Sequence, residues 1–330
     1  MRAASGSMFG LAYGDALGKP TEFMDYPAIV SRYGPGGPRE LTGEPALVTD
    51  DTQMALAVGE ALLEVRDPTA ERLEPVLRRR FLAWAYSPEN DRAPGLTCLR
   101  AIGALAGGGP WIHATQAGSK GCGANMRVTP VGLVPGLSDD QRAGVAQFQA
   151  ALTHGHPTGL AASELTAYAV HWLRDGLAPA DLLAALRNRC DEQRKIYRGD
   201  WLGELWRRQP MTDSPEAFIA RGWDECAGAL DKVAAGLAAG RFAGDPCLVT
   251  GAGWIAEEAL ATALYCYLIS PGEPVAALGR AAASSGDSDS IACLAGAFAG
   301  AALGLAAWPA GWQTQIEYAD RLLRLGTAWD

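Results

Sequence analysis

The segment that most constrains this chain runs from Ile291 to Trp312 without one charged residue. It is introduced by Ser284-Ser285-Gly286-Asp287-Ser288-Asp289-Ser290. It is long enough for a membrane span, and Gly296, Gly300 and Gly304 form overlapping G-x-x-x-G steps. Ala and Gly dominate it, however, and they insert weakly. No second span and no flanking basic cluster accompanies it. The composition suits the close-packed central helix of a soluble all-α protein. Asp and Ser are good helix caps, and carboxylates favour the positive end of a helix dipole. One cap needs only one oxygen. A D-x-D-S turn gathers several hard oxygens, as Mg²⁺ or Ca²⁺ requires.

A second cluster of the same chemistry, Thr49-Asp50-Asp51-Thr52, also precedes an apolar helix, in which Met54, Leu56, Val58, Leu62 and Val65 are spaced for burial. Taken alone it is a doubly acidic N-cap. Taken with Asp287 and Asp289, it reads as the other half of one site, with the chain as a scaffold that joins two helix mouths.

The remaining pattern is helical. Helices are expected over 7–18, 50–65, 70–86 and 94–106, where Gly107-Gly108-Gly109-Pro110 stops the run. Ser138 and Gln141 form a capping box for a helix to Leu152. Further helices are expected to Arg174 and over 179–190, 214–236, 254–269, 273–283, 288–307 and 312–324. Residues 20–48, rich in Pro and Gly, read as a surface loop, and the polar, Trp-containing stretch 191–213 as a surface excursion. No alternating strand, repeat or linker is evident. The expectation is a single domain over 1–330: all-α, compact, many helices packed orthogonally.

Charge and cysteine content narrow the function. With 28 Lys+Arg against 37 Asp+Glu, the net charge of −9 and the lack of a basic run argue against general nucleic-acid binding. Seven scattered cysteines without C-x-x-C suggest reduced thiols in a cytoplasm. Asp15 interrupts any apolar signal region, and no membrane association is expected.

Four other stretches carry chemistry. Gly14-Asp15-Ala16-Leu17-Gly18 ends a helix, and Glu22 follows on a loop that could reach the metal cluster. Ser119-Lys120-Gly121-Cys122-Gly123, before Asn125-Met126-Arg127, is either a tight turn or a nest of N–H groups for a phosphate, with Arg127 assisting. His154 and His156 sit on a turn with no third soft ligand, which argues against zinc. Trp254, after Gly251-Ala252-Gly253, serves either as core or as a stacking wall.

In this order, GDALG-x-x-x-E (14–22), TDDT (49–52), S-x-G-x-G-x-x-M-R (119–127), LTHGHP (152–157), GxGW-x-x-E (251–257) and GDSDS (286–290) resemble the ADP-ribosylglycohydrolase family. That family includes the dinitrogenase reductase-activating glycohydrolases and ADP-ribosylarginine hydrolases. The resemblance implies a domain built around a binuclear Mg²⁺ (or Mn²⁺) centre. Its ligands fall on Thr49, Asp50, Asp51, Asp287, Asp289 and Ser290. Glu22 matches an acidic residue on a flexible loop, and the candidates for the acid/base role are Asp51, Asp50 and Glu22, in no fixed order. Ser119, Gly121, Cys122, Gly123, Met126, His154 and Trp254 are the expected substrate contacts. Cys122 stands where many members have Asn, and Ser290 where Thr is usual. The implied substrate is an ADP-ribosylated protein, arginine-linked first. The alternatives are serine linkages, ADP-ribose polymers, ADP-ribosylated nucleic acid, a non-catalytic relative, or phosphoester hydrolysis.

Overall fold

A computed structural model describes residues 2–210, 212–240 and 242–330. Helices make up the described chain, and its only β pairings are isolated bridges such as Gln116–His154 and Gly121–Ile255. The all-α expectation therefore holds. Among the described residues, no helix is long and apolar enough to cross a membrane.

The centre is a pair of antiparallel helices, Ala3–Gly18 and Ser288–Leu303. Glycines four residues apart share one helix face. Gly6, Gly10 and Gly14 of the first helix meet the backbone of Gly300, Gly296 and Ala292 of the second. A methyl group at Gly6 would lie 2.5 Å from the Gly300 carbonyl oxygen. The backbones can approach this closely only because side chains are missing from both surfaces. The last step of the ladder sets Gly18 against Asp289, so the packing delivers the end of one helix to the acidic mouth of the other.

Several boundaries differ from the sequence reading. The first helix begins at Ala3, because Ala3 to Gly6 continue the small-residue face. The expected loop 20–48 contains a helix, Tyr26–Tyr33, capped by Asp25 through Ala28 N–H (2.8 Å) with Pro27 in its first turn. The central helix stops at Leu303, since Gly304 takes φ +77°. The last expected helix is two, Trp312–Gln315 and Ala319–Trp329, separated at Tyr318 with φ +58°. The polar stretch 191–213 keeps most of its charges outside but is anchored: Trp201, Leu202 and Leu205 are buried, with Trp201 against Phe148 at 5.9 Å. Arg189 and Arg198 both reach the fully buried Glu164, which ties the excursion to the helix Pro157–Arg174.

Candidate active site

The helix Asp50–Glu64 begins beside this central pair. Thr49 caps it, accepting from Asp51 N–H at 3.4 Å, and also donates to Asp51 Oδ2 at 3.2 Å. Asp15, fully buried on the first helix, accepts from Thr49 N–H (2.9 Å), Thr52 N–H (3.0 Å) and the Thr52 hydroxyl (2.5 Å). A carboxylate with four lone-pair positions can take all three. Asp15 therefore fastens the Thr49–Thr52 mouth to the helix that the glycine ladder holds against Asp289. The Gly18–Phe23 turn is pinned too. Thr21 Oγ1 lies 2.8 Å from Gly18 O, 2.8 Å from Ala282 O and 2.9 Å from Ser288 Oγ.

The other wall is stitched by backbone hydrogen bonds. Cys122 N–H donates to Trp254 O (3.0 Å), Ala256 N–H to Lys120 O (2.8 Å), and Asp287 N–H to Ala252 O (2.8 Å). Lys120 pairs with Glu225 at 2.8 Å and with Glu257, clamping the two turns from behind. The result is a cleft of about 560 Å³. Glu22, Asp50, Asp51, Asp287, Asp289 and Ser290 line it, with Gly121, Cys122, Gly123, Met126, His154 and Trp254. Thr49 and Ser119 stand behind the lining. Ser119 holds the turn, its hydroxyl 3.1 Å from Thr97 Oγ1 and accepting from Gly121 N–H at 3.4 Å.

Carboxylate oxygens of Glu22, Asp287 and Asp289 lie within 4.8 Å of one another. No ion pair among the described residues reaches any of the acids in the cleft, nor Asp15. Burial, and next the charge of Asp289, push Asp15 and Asp50 up to about 7 and Glu22 up to about 8. The same two causes hold Asp51 and Asp287 well above the carboxylate range, and burial raises Asp289 itself. Asp51 Oδ1 is buried without any partner. Mutually repelling acids, an orphaned carboxylate oxygen and nearby hydroxyls fit a hard divalent cation. His154 and His156 do not join them. Burial and then Arg127 lower His154 to about 3, and burial and then Arg221 lower His156 to about 4, where it caps a helix through Thr158 N–H (3.2 Å).

One expectation is overturned. Arg127 is not available to a phosphate: it is fully buried, donates to Gln149 Oε1 (2.8 Å), Gln149 O (2.7 Å) and Thr153 Oγ1 (2.8 Å), and stacks over Phe81. It supports the turn from below. Trp254 is 46% exposed and so is a wall, not core. Two features escaped the sequence reading. Phe23, 75% exposed, stacks on Trp254 with centroids 6.2 Å apart. The Pro94–Thr97 segment forms the rim, and its Gly95 N–H donates to Asp50 Oδ2 at 3.3 Å. Nothing in the residues around Phe23 distinguishes it before Trp254 is placed beside it.

The fold and site thus define an all-α protein with an acidic cleft, walled by paired helix mouths and backbone-stitched turns. The ADP-ribosylglycohydrolase family model matches residues 2–329, and the chain belongs to that family, whose members cleave glycosidic ADP-ribose linkages. The ADP-ribosyl-dinitrogen reductase glycohydrolase of Rhodospirillum rubrum is 36% identical over 185 residues, 52% of this chain and 58% of that protein. The ADP-ribosylarginine hydrolase Tri1 of Serratia proteamaculans (strain 568) is 29% identical over 181 residues, 52% of this chain and 48% of the relative. The chain thus spans about half the length of these curated relatives. A solved chain described as an ADP-ribosylglycohydrolase-related protein complex superposes with a TM-score of 0.69, covering 99% of this chain and 96% of its own, at 23% identity. That likeness establishes the fold.

Proposed function

We propose that this chain is a metal-dependent ADP-ribosylhydrolase that cleaves the N-glycosidic bond between ADP-ribose and an arginine side chain of a protein. The observation that carries this is the convergence of Asp50, Asp51, Asp287 and Asp289 with Ser290 and Glu22 in one cleft, where no ion pair among the described residues neutralises them. Thr49, Asp50, Asp51, Asp287, Asp289 and Ser290 would hold two Mg²⁺ or Mn²⁺ ions. Such ions, when bound, supply Lewis acidity and make water a better nucleophile.

The chain's own residues provide the rest. The Gly121–Gly123 turn lines the cleft; Gly121 N–H and Cys122 N–H are engaged by Ser119 Oγ and Trp254 O, which leaves Gly123 N–H as the turn's donor to an anion. Cys122 offers no amide at that turn, so the backbone and Ser119's ordering of it carry recognition. Trp254 gives a flat apolar face for a base. Asp51, Asp50 and Glu22 are the candidate proton carriers for water and leaving group. Glu22 differs from the other two in standing on a turn, not at a helix mouth, which suits a group that must meet the departing side chain. The arginine linkage rests on the likeness to the ADP-ribosylarginine hydrolase of Serratia proteamaculans.

The test is release of ADP-ribose from a panel of arginine-, serine- and nucleic-acid-linked substrates, with Mg²⁺ or with EDTA. Release from the arginine conjugate that EDTA abolishes is expected. Faster release from another linkage, or full activity after chelation, overturns the reading.

A further inference from the structure

The loop 34–39 docks on the helix Pro274–Ala282 through glycine. Gly37 has φ +66°, and a Cβ at Gly279 would lie 3.2 Å from Arg39 Cγ. This places Arg39 beside Arg280, and both line a cavity of about 220 Å³ together with Tyr26, Phe242 and Cys266. No Asp or Glu lines it. Arg39 Nε–H reaches only Gly36 O at 3.5 Å, and Arg280 Nη1 donates to Gly244 O at 2.5 Å. Arg280 Nε is buried with no partner among the described residues. Two other arginine groups in this acidic chain surround a carboxylate, Arg80, Arg321 and Arg324 around Glu60 and Arg189 and Arg198 around Glu164, while Arg142 and Arg174 are held by backbone carbonyls. Arg39 and Arg280 form no ion pair among the described residues.

We propose that this cavity is a second anion site, distinct from the acidic cleft, which takes the phosphate of a small phosphate monoester with a planar ring. Guanidinium forks match phosphate oxygens bidentately. The two arginines approach from different elements, so one tetrahedral anion can accept from both. Tyr26 and Phe242 supply the apolar faces for the ring, and Phe242 is 40% exposed. The cavity is lined by segments that continue in sequence into the cleft. Arg280 shares its carbonyl partner Gly244 with the turn whose Asp245 accepts from Ser285 N–H at 3.3 Å, just before Asp287. Tyr26 opens the helix that follows Glu22 and Phe23.

Calorimetric titration of the full chain with inorganic phosphate and with AMP tests this, using wild type, Arg39→Gln and Arg280→Gln. Both probes should bind wild type, AMP more tightly, and each substitution should weaken that binding at least tenfold. Arg39 is exposed, so Arg39→Gln decides the matter even where Arg280→Gln does not fold. Equal affinity for phosphate and AMP overturns the ring half of the proposal and supports the anion half. Binding unchanged by both substitutions, or absent in wild type, overturns the site.

Discussion

Asp289→Asn separates a metal site from a merely structural acid in the first turn of a helix. After burial, the charge of Asp289 is the next cause raising Asp15, Glu22, Asp50, Asp51 and Asp287. Two unit charges at the 4.8 Å limit of the Glu22–Asp287–Asp289 group repel by about 3.5 kcal/mol at an effective dielectric of about 20. Shared protons and counterions reduce this, and about 1–2 kcal/mol is expected to survive at mildly alkaline pH. Unfolding entropy for 330 residues is roughly 0.7 kcal/mol/K, so the metal-free variant should melt about 1.5–3 °C above metal-free wild type. Saturation at about 100 times Kd adds roughly 2.7 kcal/mol, or about 4 °C, to wild type and much less to the variant. The assay is thermal unfolding of both proteins in EDTA and in saturating MgCl₂, beside hydrolysis. Asp289 stands in the first turn of Ser288–Leu303, where its side chain accepts from Ser290 N–H (3.0 Å), and the amide oxygen of Asn can accept there as well. Equal metal-induced stabilisation of both proteins, with activity retained, would refute the metal-site reasoning. A lower melting point for the metal-free variant would refute the repulsion argument.

Three further outcomes are expected. Gly14→Ala drives a methyl into the Ala292 backbone and should cost about 3 kcal/mol or more in urea unfolding, whereas Gly103→Ala meets nothing within 4 Å and should stabilise by about 0.5–1 kcal/mol. His156, lowered to about 4 by burial and then Arg221, binds fewer protons folded than unfolded. Its stabilising contribution is complete above the unfolded value near pH 6.5 and is lost as pH falls toward 4, so the stability gap between wild type and His156→Asn should narrow or reverse over that window in unfolding curves. Trp254→Ala should weaken ADP-ribose binding by about 1–3 kcal/mol in calorimetry without moving the melting point, because the ring is half exposed and stacks on Phe23, which is itself exposed.

The acid clusters were legible because each is local. Thr49–Thr52 and Gly286–Ser290 are short runs whose residue types have few other uses side by side. The G-x-x-x-G steps of the central helix were legible for the same reason. Their partner ladder in Gly6, Gly10 and Gly14 has the same spacing, but which helix it meets depends on tertiary pairing that spacing does not encode. Asp15 carried a signal, an acid inside an apolar small-residue helix, and its role needed Thr49 and Thr52 beside it. Arg127 misled for a related reason. A basic residue at the end of a glycine turn suggests an anion, yet its true partners, Gln149 and Thr153, lie 22 and 26 residues away in sequence. The Tyr26–Tyr33 helix was hidden by the Pro- and Gly-rich residues after it, although Asp25-Tyr26-Pro27 is a readable helix start.

The two halves of this design act against each other. Asp15, Glu22, Asp50, Asp51, Asp287 and Asp289 converge where their charges repel, and separating the helix mouths would relieve that repulsion. The glycine ladder prevents it. Gly14 and Gly18 hold the first helix against Ala292 and Asp289 through backbone contact that no side-chain rearrangement can loosen. Asp15 transmits the constraint to Thr49 and Thr52 through three hydrogen bonds. The geometry of the acids is therefore set by the packing of the core and not by the acids themselves. A variant that loosens the ladder without touching an acid, such as Gly14→Ala, should for that reason lose metal-induced stabilisation as well as intrinsic stability. An acid variant such as Asp289→Asn should lose the first while gaining the second.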